Sequence, residues 1–390
     1  MSRWHSYINS ARQILDQYSC GEPFAAHLKK FFAAHKKYGS ADRRYIGQLC
    51  YSWFRCAAIL KEYTGGEPLA AALFLCSHTA QPLVEALHPE WLLNAGQSPA
   101  EKMRVLGLEK NSGSLFPFSS PLSSMDDPDA FVLSHLQQPG FFIRIRPGYR
   151  EAVWQKLSGA GISFSEISET CLSVSAGQSL DAVLAINREV VIQDLGSQRV
   201  GELLQPVKEK RKGAALTVWD CCAASGGKSI LARDVLGQIK LTVTDIRESI
   251  LVNLRKRFRE AAMPTYRSFT ADLSQQLPAG MENSQVLVMA DVPCSGSGTW
   301  GRTPEQLLCF REEQLMAYQT LQRAILRNAV KAIQPGGFLL YSTCSVFRAE
   351  NEEQVRFIQE ELQLERMESR LLTGYAQKAD TLFAALFYKP

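Results

Sequence analysis

Apolar residues recur at helical spacing through the first third of the chain and then change period. Trp4, Tyr7, Ile8, Ala11, Ile14, Leu15 and Tyr18 follow the i, i+3, i+4, i+7 rhythm of one buried helix face. Ser40-Ala41-Asp42 offers an N-cap ahead of a second stripe formed by Tyr45, Ile46, Leu49, Cys50, Trp53 and Phe54. Residues 1–112 therefore read as an all-helical domain, with Lys29, Lys30, Lys36, Lys37, Arg43 and Arg44 on the opposite faces. Residues 113–128 are rich in Ser, Pro and Asp and aperiodic, which predicts a linker.

Residues 129–205 predict a small α+β module. Phe141 to Arg146 is a strand, Tyr149 to Leu157 suits a helix, Gly161 to Phe164 opens a second strand, and Val190 to Gln193 makes a third. Arg144 and Arg146 share one face of the first strand, which suits a nucleic-acid backbone or the solubility of an exposed edge.

Across residues 206–390 strand and helix patterns alternate, the signature of a parallel, doubly wound sheet. Strands are predicted at 216–220, 240–245, 269–271, 286–290 and 338–341, with helices over 229–236 and 247–262. Four strands run into Asp220, Asp245, Asp272 and Asp291, and two open onto a cysteine, Cys294 and Cys344. In such sheets ligands sit at the carboxyl ends of the strands, so the acids and thiols are candidate site residues.

Composition narrows this picture modestly. The chain has 390 residues, 46% hydrophobic and 21% charged, with a net charge of +4. That is a globular, multidomain composition rather than a disordered one. Basic residues cluster in residues 1–60, at Lys208 to Lys212 and at Arg255 to Arg259, compatible with solvated helix faces or a polyanionic partner. No apolar run approaches a membrane span, and none resembles a secretory leader. The ten cysteines, without Cys-x-x-Cys spacing, predict free thiols in a reducing cytoplasm and no metal site. Cys20, Cys50, Cys56, Cys76, Cys171 and Cys309 read as small buried hydrophobes. All six histidines lie at or before His135, so chemistry at the sheet proceeds without a local imidazole.

The loop Cys222-Ala223-Ala224-Ser225-Gly226-Gly227-Lys228 allows two readings. It approaches the phosphate-binding loop of nucleotide hydrolases, but Cys222 replaces the first glycine. Alternatively, Gly226 and Gly227 admit close approach of a nucleoside cofactor without a diphosphate, with Asp245 accepting from ribose hydroxyls and Asp272 near the base. S-adenosylmethionine meets that description, and its sulfonium suits Asp220 and Asp291. The hydrolase reading leaves Asp245, Cys294 and Cys344 without roles.

Asp220 to Lys228, the run Asp291-Val292-Pro293-Cys294-Ser295-Gly296, and Thr343-Cys344-Ser345 followed by Glu350-Asn351-Glu352 resemble successive motifs of the Sun/Nop family of RNA cytosine-C5 methyltransferases. Val191 to Asp194 with Ser197-Gln198 extends the likeness upstream, and Asp42 to Ile46 with Tyr51 and Arg55 is similar to the NusB-like helical domain of the bacterial ribosomal RNA members. The resemblance implies a Rossmann-like S-adenosylmethionine-dependent methyltransferase domain behind the α+β module and the helical domain. It implies Cys344 as the nucleophile on cytosine C6, Cys294 as the thiol that assists breakdown of the adduct, and Asp291 on the N3 edge. The cofactor would touch residues 222–228, Asp245, Asp272 and Asp291. The implied partner is RNA, ribosomal RNA or a small-subunit assembly intermediate first and tRNA second, for a monomer. A phosphate-loop ATPase and a catalytically silent assembly factor are the competing functions. Three departures from the family pattern stand out: Ser225 in place of proline, an altered loop at 299–305, and Asp380-Thr381-Leu382-Phe383 near the end.

Overall fold

The computed structural model describes residues 3–61, 63–175, 177, 179–210 and 216–390, so Arg211 and Lys212 of the second basic cluster lie outside the described residues. The chain forms two compact units, one of Met1–Ser119, Asp126–Pro139 and Thr299–Glu312, the other of Ser120–Met125, Gly140–Gly298 and Glu313–Pro390.

The first unit is helical. Helices α1 (Arg3–Asp16), α2 (Phe24–Ala34), α3 (Ser40–Leu60) and α4 (Pro68–Cys76) bury the predicted stripes, with Ile14, Ile46 and Leu49 fully enclosed. At the start of α3 the cap falls one residue earlier than the sequence suggests. Gly39 is the N-cap, and the Asp42 carboxylate accepts its N–H at 2.9 Å. Arg55 of α3 is buried, donating to the carbonyls of His135 (2.9 Å) and Gly301 (2.7 Å) and to Gln138 Oε1 (2.8 Å). Trp300 is buried among Phe116, Phe118 and Phe310, so this loop residue is core. Two thiols predicted to be free are joined: Cys20 and Cys309 form a disulfide across 289 residues of sequence, a separation that leaves no local spacing to read.

The second unit holds two sheets. The smaller contains β1 (Phe141–Ile145), β2 (Phe164–Ser168), β3 (Cys171–Val174) and β4 (Val190–Ile192), in the order β2-β3-β1-β4. Because β1 is internal, neither expectation for its arginines holds. Arg144 and Arg146 both bind Asp234, at 2.6 and 2.9 Å, with side chains 5% and 12% exposed. They fasten this sheet to the larger one's flanking helix.

The larger sheet contains β5 (Leu216–Asp220), β6 (Ile239–Asp245), β7 (Tyr266–Thr270), β8 (Gln285–Asp291), β9 (Ile333–Thr343), β10 (Glu365–Leu372) and β11 (Leu382–Tyr388), in the order β10-β11-β9-β8-β5-β6-β7. Strands β5 to β9 pair in parallel, as the alternation predicts, while β10 and β11 add an antiparallel edge that the sequence reading lacks. Alternate residues face opposite cores: Val218, Leu287 and Phe338 lie in one, Trp219, Val288 and Leu339 in the other. Burial on both faces explains why these strands read as continuous apolar runs. Helices α5 (Gly227–Leu236) and α6 (Glu248–Glu260) contribute to the first core, and α7 (Gln314–Ala329) and α8 (Glu352–Glu360) to the second.

The predicted linker is partly built into this unit. Ser123 is buried, its N–H bonded to the Val346 carbonyl at 2.8 Å, and Leu122 bridges Phe347.

Candidate active site

From β5 the chain moves to β6 and β7 on one side, then returns to β8 and β9 on the other. The topological switch point lies between β5 and β8, where a crevice opens at the strand ends. Asp220 and Asp291 terminate these two strands, and Ser342 on β9 lies opposite Asp291 in register.

Asp291 is held on both oxygens. Lys228 pairs with Oδ2 at 2.7 Å and the Ser342 hydroxyl donates to Oδ1 at 2.9 Å. Burial alone would lower the Lys228 pKa, but the facing charges of Asp291 and Cys344 raise it, so Lys228 remains cationic. The two predicted catalytic thiols meet here: the N–H of Cys344 donates to Cys294 Sγ at 3.3 Å. The Cys294 thiol is pushed well up by its side-chain contact with the Cys344 thiol and by burial.

Glu350 and Asn351 lock the two cysteine loops together, a role that their place in the motif does not reveal. Glu350 is fully buried; it accepts from Ser295 N–H at 2.9 Å and from Gln322 at 3.0 Å. Asn351 accepts from Thr343 Oγ1 at 2.6 Å and donates to the Ser345 carbonyl at 2.9 Å. Gly298 donates to the Cys344 carbonyl at 2.9 Å, and a Cβ there would fall 1.8 Å from the Thr381 carbonyl oxygen, so only glycine fits. Thr381 belongs to the altered C-terminal segment, which therefore braces the Cys344 loop through backbone.

The glycine loop is not an open phosphate nest. Three of its N–H groups are already engaged, Ala223 to Thr244 O, Ala224 to Asp245 Oδ2 and Gly226 to Ala223 O, as is that of Cys221 just before it to Met289 O, at 2.8–3.0 Å. With its donors turned inward, the loop offers little to a triphosphate. Gly226, at φ +80°, packs where a Cβ would strike Phe258.

Two cavities share Cys222, Ala224 and Asp291 in their walls. One of about 250 Å³ is lined by Asp194, Asp220, Ala223, Ser225, Gly227, Lys228 and Arg257. The other, about 300 Å³, is lined by Asp245, Arg247, Asp272, Leu273, Leu321 and Ile325. The predicted cofactor residues thus divide between a charged chamber and a more apolar one, as a nucleoside with an amino-acid tail requires. Asp220 is buried with Oδ2 on the Ser229 hydroxyl at 2.6 Å and Oδ1 without a partner; burial and Asp291 push its pKa up to about 7. An orphaned carboxylate oxygen beside this chamber fits a cationic donor on a ligand. Asp245 is held below its ordinary value, against burial, by hydrogen bonds from Arg247 and Ala224. Asp272 lies beyond the end of β7, its Oδ1 capping the Ser274 N–H at 2.9 Å. Asp194, Arg247 and Arg257 were not expected as lining residues. Arg257 was read as part of a basic surface run, and only its inward turn distinguishes it.

Residues 202–383 match the protein family described as 16S rRNA methyltransferase RsmB/F. The chain is 30% identical over 216 residues to the ribosomal RNA small subunit methyltransferase B of Xylella fastidiosa, covering 55% of this chain and 50% of that protein. It is 30% identical over 213 residues to the mouse tRNA (cytosine(72)-C(5))-methyltransferase NSUN6, covering 51% and 41%. The chain spans about half the length of the curated relatives it matches. A solved structure described as PH0851 shares the fold over 99% of this chain and 98% of its own, with a TM-score of 0.67 at 19% identity.

Proposed function

We propose, from the match of residues 202–383 to the RsmB/F family of 16S rRNA methyltransferases, that this protein methylates C5 of a cytosine in RNA, using S-adenosylmethionine and a covalent cysteine adduct. The observation that carries the proposal is the convergence of Cys344, Cys294 and the Lys228–Asp291 pair at the ends of β8 and β9.

C5 of cytosine is too weak a nucleophile to accept a methyl group unaided. The Cys344 thiolate forms a bond to C6, and the displaced ring electrons make C5 an enamine carbon. Asp291, held by Lys228 and Ser342, accepts hydrogen bonds from the N3 and amino edge and stabilises the protonated adduct. The cofactor, when bound, supplies an electrophilic methyl group. Loss of the C5 proton to a base then re-forms the C5–C6 double bond and expels Cys344 as thiolate, with Cys294 assisting this breakdown. Residues 222–228, Asp245 and Asp272 would hold the cofactor.

Ribosomal RNA is the favoured substrate, and the likeness to NSUN6 supports tRNA as the second. Bisulfite sequencing of RNA from a strain lacking the gene tests the proposal: one 5-methylcytosine should vanish. An unchanged pattern in both ribosomal and transfer RNA would refute it.

A further inference from the structure

Arg257 projects from α6 toward the glycine loop rather than into solvent with its basic neighbours. Its Nε donates to Asn187 Oδ1 at 2.8 Å and its Nη1 to the Ser225 hydroxyl at 3.0 Å. The guanidinium packs on the loop so closely that a Cβ at Gly227 would come within 3.4 Å of Nη1. Asn187 is itself fixed, donating its side-chain N–H to Glu260 at 2.8 Å while its carbonyl accepts from Arg146 at 3.1 Å. The guanidinium therefore has a preset orientation, held by neutral partners on one side and open to the charged chamber on the other.

Two cations line that chamber, Lys228 and Arg257. Lys228 is committed to Asp291 at 2.7 Å. Arg257 makes no ion pair among the described residues: its contacts are to neutral oxygens, and the charge of Glu260 acts on it only from beyond ion-pair distance. A planar donor fork of this kind, partly desolvated and without a counter-ion, is complementary to a carboxylate.

We propose that Arg257 binds the carboxylate of the cofactor's amino-acid tail, and that Ser225 orients the guanidinium for it. This assignment rests on the cofactor reading above and deepens it. It also accounts for Ser225 where related loops carry proline. The hydroxyl ties the loop to Arg257, supplying by hydrogen bond the restraint that a proline ring would supply covalently.

Calorimetric titration of the full-length protein with S-adenosylmethionine and with 5′-methylthioadenosine, which lacks the tail carboxylate and ammonium, tests the assignment without catalysis. Arg257→Leu should weaken S-adenosylmethionine by roughly ten- to a hundredfold and leave 5′-methylthioadenosine unchanged, which also shows that the pocket remains folded. Arg257→Lys should recover part of the loss, and Ser225→Ala should show a smaller loss confined to the tailed ligand. Equal weakening of both ligands, or no weakening of either, would overturn the proposal. If the wild-type protein binds 5′-methylthioadenosine but Lys228→Gln instead shows the tail-selective loss, Lys228 is the anchor and Arg257 is not. Failure of the wild-type protein to bind S-adenosylmethionine would overturn the cofactor reading itself, a result distinct from any of these.

Discussion

The backbone N–H of Cys344 points at the sulfur of Cys294, 3.3 Å away. The two thiols are therefore chemically unequal before substrate arrives. Contact with the Cys344 side chain and burial hold Cys294 protonated. Once Cys344 is tied up as a thioether, its share of that upward push is removed, while burial and Glu350 still raise Cys294. Cys344→Ala should abolish methyl transfer, with a loss of at least about a thousandfold. Cys294→Ala should leave a protein–RNA adduct that survives denaturing electrophoresis. The opposite pattern would exchange the two roles.

Asp220 gives a pH dependence of definite sign. Its folded-state pKa, near 7, lies above that of an unfolded aspartate, so the folded state binds the extra proton. Stability should be fully present below about pH 4 and fall as pH rises through about 7. Asp220→Asn removes that dependence while still accepting from Ser229. Thermal unfolding should show the variant gaining on wild type between pH 5 and pH 8, by on the order of 2–4 kcal/mol. Parallel curves would show that Asp220 ionises normally.

Asp234 pairs with both Arg144 and Arg146 in a nearly dry setting. Asp234→Ala strands two buried guanidinium groups and should cost about 3–5 kcal/mol in denaturant unfolding. Were these arginines RNA contacts instead, the variant would keep its stability and change RNA affinity.

Glu350→Gln tests the tie between the cysteine loops. The amide keeps one acceptor oxygen for Ser295 N–H and Gln322 but turns an N–H toward the Ser295 hydroxyl, which loses its carboxylate acceptor, costing about 1–3 kcal/mol. Turnover should fall at least tenfold with S-adenosylmethionine affinity unchanged, because Glu350 contacts neither cofactor cavity. A matching loss of cofactor affinity would mean that the loops and the cofactor chamber move together.

Non-reducing peptide mapping should recover Cys20 and Cys309 in one linked species, with the remaining eight cysteines alkylated. Recovery of all ten as free thiols would show the bridge to be absent under those conditions.

Much of the site was legible because its signals are local. A strand that ends in Asp or Cys at a glycine or a proline can be recognised from a few adjacent residues, and β5, β6, β8 and β9 appear where the alternation put them. The edge strands β10 and β11 were not recognised. They are identified by pairing with β9 and with each other rather than by any pattern of their own.

The sequence by itself determined strands β5, β6, β8 and β9, the glycine loop and the candidate thiols, since each depends on short-range periodicity or on contiguous residue types. Tertiary structure alone decided which charges meet. Arg144, Arg146 and Arg257 look like surface cations along the chain, yet they face Asp234 and the charged chamber at the strand ends because elements distant in sequence are packed against them. The same holds for Glu350 and Ser123, polar residues made structural by burial beside the Cys344 loop. A charge's role depends on its partner and on its exclusion from water, and neither is encoded within the few residues around it.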